Sequence, residues 1–169
     1  MQKKALLAGG LCLLGVLCIT LVFTLSQPLQ DTQTHGRGPQ AALSTAARAK
    51  IGGSTFDLAV ARTAQAHVSG LSNRDSLPPN QGMIFVGLDP EEMGIWMKDM
   101  RFDIDVLWVN EKNTVVYIAP SVSRESYPAV FRNPPDVPAK YVIELASGQT
   151  EKSAIHIGST VRFSGESPL

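Results

Sequence analysis

The stretch GMIFVGLDPEEMGIWMKDMRFDIDVLWVN, residues 82–110, decides the fold. Met83-Ile84-Phe85-Val86 is a fully apolar run of strand length after a glycine, and Asp89-Pro90-Glu91-Glu92 reads as a loop. Ile95–Met100 and Phe102–Val109 read as further strands. In the second, Phe102, Ile104, Val106 and Trp108 fall on one face and Asp103, Asp105, Leu107 and Val109 on the other. Asn110-Glu111-Lys112-Asn113 is a four-residue hairpin loop into Thr114–Ile118, too short to cross over, so the strands it joins pair antiparallel.

Toward the C-terminus, Ala119–Ala139 reads as a long irregular connection carrying Pro120, Pro128, Pro134, Pro135 and Pro138, with Tyr127 and Phe131 to hold it to the core. A connection of that length either rims a site or covers a sheet edge. Lys140–Leu145 returns to strand, with Tyr141, Ile143 and Leu145 on one face and Lys140, Val142 and Glu144 on the other. Thr150 caps a single helical turn, and Ile155–Phe163 reads as a last strand broken by Gly158.

Toward the N-terminus, Leu77–Gly82 is a proline-stiffened turn, and Thr63 is an N-cap for a short helix to about Leu71 with Ala64, Val68 and Leu71 on one face. Thr55–Val60 alternates as a half-buried strand does. The pattern predicts a mainly β (α+β) domain: a compact, mainly antiparallel sheet or small barrel of about seven short strands with one helix.

This domain is expected over residues 51–169. Before it, Ser26–Lys50 is rich in Gln, Thr, Ser, Ala, Gly and Pro and reads as a flexible tether, with Ala41–Lys50 able to form a helical turn or two. Ala5–Leu25 runs 21 residues without a charge. As a helix it would span about 31 Å, the thickness of a hydrocarbon core. Lys3 and Lys4 precede it, and Leu25-Ser26-Gln27-Pro28 offers no clean small-x-small cleavage site. Residues 1–25 are therefore expected to be an uncleaved single-pass anchor, with the N-terminus cytoplasmic and the domain outside.

The net charge is zero, but residues 1–50 carry five Lys/Arg against Asp31 alone, and residues 51–169 carry ten against fourteen Asp/Glu. An acidic domain lacks the footprint that nucleic acid requires. Both cysteines, Cys12 and Cys18, lie in the apolar run, so the domain has no thiol for a disulfide, a nucleophile or a zinc site.

Gly70-Leu71, Arg74, Leu77, Gly82-Met83 with Phe85, Trp96-Met97-Lys98-Asp99-Met100, the strand holding Asp105, Val115-Val116, Tyr141–Leu145 with Gly148, and Ile157-Gly158 with Val161 resemble the family called domain of unknown function 192. The resemblance covers about Thr55–Phe163, and Ser72 and Asp103 depart from the family pattern. It implies a small mainly-β domain, often exported or membrane-anchored, and assigns no activity.

Trp96 and Lys98 share one face of their strand, and Asp103 and Asp105 share a face of the next. Paired carboxylates can hold a hard cation or act as acid and base, while an unburied Lys–Asp pair contributes little. Met93, Met97 and Met100 would form a thioether stripe on a helix, but a strand separates them, and core packing is the default for methionine. His67 and His156 have no ligand-spaced partner, so no metal or cofactor is expected.

The functional expectation is a ligand-binding or accessory module of the cell envelope, its site drawn from Met83, Phe85, Trp96, Met97, Lys98, Asp99, Asp105 and Glu144. Its partners would be the membrane, through residues 5–25, and a small molecule or envelope protein, with no role for nucleic acid. The alternative is a hydrolase or lyase with Asp105 as acid/base and Lys98 stabilising negative charge. A third reading is a structural partner of another envelope protein.

Overall fold

A computed structural model of the chain describes residues 46–87, 89, 93–164 and 167–169. The expected anchor and most of the tether lie outside the described residues. Among the described residues no helix is long and apolar enough to cross a membrane.

The elements in chain order are β1 (Ala47–Ile51), β2 (Ser54–Ala61), α1 (Ala64–Ser69), β3 (Gln81–Phe85), β4 (Ile95–Trp96), β5 (Ile104–Val109), β6 (Val115–Val122), a 3-10 turn at Arg124–Ser126, β7 (Val130–Phe131), β8 (Tyr141–Ala146), α2 (Gln149–Lys152) and β9 (Val161–Ser164). Seven strands form one sheet in the order β6-β5-β8-β3-β2-β1-β9, and β4 pairs with β7 in a separate two-stranded ribbon. The sheet curls until its edges meet at one end. Thr114 and Thr160 bridge antiparallel, and the Val115 and Gly158 N–H groups donate to the Ser159 and Val115 carbonyls, each at 2.8 Å.

Both sides of this half-barrel are apolar. All seven strands contribute to one face, through residues such as Ile51, Phe56, Ile84, Leu107, Val115, Ile143 and Val161. The other face carries Met83, Phe85, Val106, Trp108 and Val142, and it is covered by Leu71, Leu77, Met93, Ile95 and Met97 from the connections. Burying each large side chain contributes about 1.5–3 kcal/mol, so these two clusters are what stabilises a domain without disulfides. Gly82 is required where β3 crosses β8: a Cβ there would lie 2.5 Å from the Glu144 carbonyl oxygen and 2.8 Å from Leu58 and Leu145 side-chain carbons.

Several expectations need correction. Ala47–Ile51 is a strand, paired with β2 on one side and β9 on the other, so the domain starts within the stretch read as tether. Alternation of Ala47, Ala49 and Ile51 with Arg48 and Lys50 carries it, but alanine is too small to announce a buried face. The sheet is mainly antiparallel, as expected, with the single parallel pair β2 and β3 making it mixed. The connection between them holds α1 and is long enough to carry the chain back, which a hairpin is not. Among the described residues the α-helices are α1 and α2, the second being the single turn read near Thr150, with Gly148 rather than Thr150 at its N-cap.

Thr63 is indeed the N-cap of α1, its hydroxyl accepting the Ala66 N–H at 3.2 Å, but Val68 faces solvent at 56% exposure. The strand read at Ile95–Met100 ends at Trp96, since the chain turns through Asp99 at φ 57°. The strand read from Ile155 begins at Val161, after a turn through Gly158 at φ 94°. The connection read as irregular from Ala119 is strand to Val122 and later supplies β7.

Candidate functional site

α1 and the β4–β7 ribbon stand over the second sheet face and leave a groove of about 380 Å³ between them, lined by Ala64, His67, Val68, Trp96, Val130 and Arg132, with Gly94 at its base. Three of those residues, Val68, Trp96 and Val130, are large hydrophobic side chains left exposed in the free chain. A fourth, Tyr127, meets the Trp96 ring edge-on with centroids 6.3 Å apart. Single exposed hydrophobics are ordinary, but a cluster that rims a concavity makes this groove the candidate site.

Gly94 is what keeps the groove open at this point, because a Cβ would lie 2.7 Å from Val130 and Arg132 side-chain carbons. His67 is fixed by its Nε2, which lies 3.1 Å from both the Ala61 and Val86 carbonyl oxygens. Two acceptors require a hydrogen on that nitrogen. Lys98 Nζ sits over the Trp96 ring, 5.8 Å from its centroid, and places a positive charge at the rim.

Deeper in, a cavity of about 50 Å³ adjoins the groove and shares His67, Val68, Gly94 and Trp96 with it. Glu144 forms part of its lining, with Leu71, Ser72, Phe85 and Met100. β8 is central in the sheet, so Glu144 stands between Met83 of β3 and Val106 of β5, and it is only 5% exposed. Its Oε2 has no hydrogen-bond partner. Burial pushes its carboxyl up to about 8, and at neutral pH it is a neutral acid with an O–H to donate.

Asp105 is the opposite case. It is fully buried, but Oδ1 accepts the Ser121 N–H at 2.9 Å and the Gly148 N–H at 3.1 Å, while Oδ2 accepts the N–H and hydroxyl of Thr150, both at 2.8 Å. Asp103 accepts the Arg124 N–H at 2.9 Å. The two aspartates thus hold the last residues of β6 and the start of the 3-10 turn that follows, and the i, i+2 spacing serves that purpose. Among the described residues no hydrogen bond or ion pair joins Lys98 to Asp105, and no cluster of ligating side chains could hold a metal ion.

Of the other sequence candidates, Phe85, Trp96 and Glu144 come together around the cavity, with Lys98 at the rim. Met83 and Met97 are buried in the core beside it. Asp99 is exposed, and its carbonyl accepts the Asn73 N–H at 2.8 Å. Sequence reading passed over Val68, Val130, Ser72 and Arg132. Only the tertiary fold places Val68, Val130 and Arg132 on the groove and Ser72 on the cavity, and the exposed valine of a short helix is a weak signal.

Fold and site together define a small half-barrel domain with an apolar side groove and, beside it, a buried acid whose Oε2 has no hydrogen-bond partner. The chain belongs to the DUF192 family, described as Uncharacterized ACR, whose model matches residues 47–163. No curated protein matches the chain. Among solved structures it is similar to a protein from Sinorhizobium meliloti 1021, provisionally described as a transcription regulator, at 21% identity and a TM-score of 0.61, covering 69% of this chain and 92% of that one. It is also similar to a protein of unknown function from Novosphingobium aromaticivorans DSM 12444, at 22% identity and a TM-score of 0.58, covering 75% of this chain and 99% of that one. At these identities the likeness is one of fold.

Proposed function

We propose that this protein is a ligand-binding or accessory module of the cell envelope, held outside the cytoplasmic membrane by residues 5–25, and that the groove between α1 and the β4–β7 ribbon is its binding site. The observation that carries the reading is the gathering of exposed Val68, Trp96 and Val130 around one concavity, with exposed Tyr127 against the Trp96 ring. Such a cluster costs solubility when bare and is stabilised when covered. The apolar run Ala5–Leu25 and the lysines before it support the location. A regulator's role is not carried over from the Sinorhizobium meliloti protein, since residues 47–169 hold twelve Lys/Arg against fourteen Asp/Glu and so lack the basic excess that nucleic acid requires.

A thermal-shift screen of the full-length chain tests the site, using cell-wall sugars, peptides, nucleotides and metal ions against the parent and Trp96→Ala. A compound that raises the parent midpoint and leaves Trp96→Ala unmoved supports the groove. Shifts that persist in the variant sink it. Protease added to spheroplasts tests the location, because an outward domain is digested while the membrane is intact.

A further inference from the structure

The groove reading leaves open what the site recognises, and Glu144 narrows that. Among the described residues, its Oε2 is the one buried side-chain polar atom with no hydrogen-bond partner. Leaving such a group unpaired is unfavourable, and a bound partner would recover that cost. The cavity against which it lies, about 50 Å³, has room for roughly three to five heavy atoms, since each water-sized position takes about 10–15 Å³.

The charges around it decide the partner's class. β3 and β5 flank Glu144 with Met83 and Val106, which carry none. Asp105, next to Val106, turns to the opposite face and is bonded to Thr150. α1 contributes His67, whose Nε2 is spent on two carbonyl oxygens. Lys98 Nζ lies over the Trp96 ring at the rim, and a cation there disfavours an ammonium group. No described lysine or arginine lines the inner cavity to balance an ionised Glu144.

We infer that the inner cavity takes an uncharged carboxamide borne on an apolar body, seated against the Glu144 carboxyl with the apolar part over Val68, Trp96 and Val130. A protonated carboxyl presents one donor and one acceptor side by side, the complement of an amide's C=O and N–H. The amide's three heavy atoms fit the cavity. The inference rests on the groove being a binding site. Two sources share this chemistry, a small free amide and an amide within an extended segment of an envelope protein.

The test is a titration of the full-length chain in detergent with pentanamide, pentanoate, pentylamine and pentanol, read by Trp96 fluorescence and calorimetry. Pentanamide is expected to bind at least tenfold more tightly than the other three. Its affinity should be flat to about pH 7 and fall roughly tenfold per pH unit above pH 8, as the donor is lost. Glu144→Leu should lose binding at least tenfold while remaining folded. Glu144→Gln, which keeps a donor and an acceptor, should bind without the pH dependence.

Pentylamine as the best ligand, tightening as pH rises, would overturn the inference in favour of an ammonium site. Equal binding of pentanol and pentanamide, indifferent to Glu144→Leu, would leave the groove standing and remove the amide assignment. No saturable response to any of the four would remove both. A glutamine-bearing pentapeptide that outcompetes pentanamide identifies a protein segment as the source, the reverse order a free amide, and either supports the carboxamide.

Discussion

Asp105 accepts both the backbone N–H and the hydroxyl of Thr150 at 2.8 Å, although 45 residues separate them in the chain. With the Ser121 and Gly148 N–H groups on its other oxygen, the carboxylate ties β5 to the end of β6 and to the start of α2. Its four acceptor positions are spent on the fold. Asp105→Asn turns an amide N–H toward donors that need an acceptor, so we expect a loss of about 3 kcal/mol in urea unfolding, with Asp105→Ala at least as damaging. A variant that unfolds like the parent would show the network to be dispensable.

Glu144 makes stability depend on pH in the opposite sense from a paired carboxylate. In the unfolded chain it titrates near its ordinary 4.5, and in the folded chain near 8. Between those values the folded state holds the extra proton, so stability is full below about pH 4.5, falls by up to about 1.4 kcal/mol per pH unit through that window, and is flat above it. Urea midpoints measured from pH 5 to 9 check this. Glu144→Gln is expected to flatten the slope and to be the more stable protein at pH 8.

Gly82→Ala is expected to be among the most damaging single-methyl additions. The new Cβ would stand 2.5 Å from the Glu144 carbonyl oxygen, which is backbone and cannot swing aside. Separating β3 from β8 breaks the centre of the sheet, and we expect a loss of about 2–3 kcal/mol by thermal or urea unfolding. An unchanged midpoint would mean the two strands part at no cost.

Trp108 is buried on β5, and its Nε1–H donates to the Met93 carbonyl at 3.0 Å, fastening the segment that leads into β4. Trp108→Phe removes that donor and leaves the carbonyl unpaired together with a void. A loss of about 2–3 kcal/mol is expected, with faster hydrogen exchange at Ile95 and Trp96 than elsewhere in the domain. Uniform exchange across the sheet would contradict a fastening role.

How much was legible can be seen residue by residue. The alternation of Ile104, Val106 and Trp108 against Asp105, Leu107 and Val109 assigned β5 and both its faces, because side chains on a strand alternate whatever the strand packs against. The Asn110–Asn113 loop assigned the β5–β6 hairpin, and the Asn110 side chain accepts the Lys112 and Thr114 N–H groups, each at 3.0 Å, as a local turn signal should. Thr63 announced α1 for the same reason: a cap is a contact between near neighbours.

Tertiary structure decided the rest. β1 has only small residues on its buried side and becomes a strand because β2 and β9 offer it two edges. Asp105 and Glu144 look alike in the chain, each an acid in an apolar strand. One meets four donors that folding brings from residues 121, 148 and 150, while the other meets none. Periodicity and short-range hydrogen bonds were enough to assign β5, the β5–β6 hairpin and the α1 cap from the sequence. Which acid is bonded into the fold and which lies against a cavity with an unbonded oxygen was decided only by the curl of the sheet, which sets what stands across from each side chain.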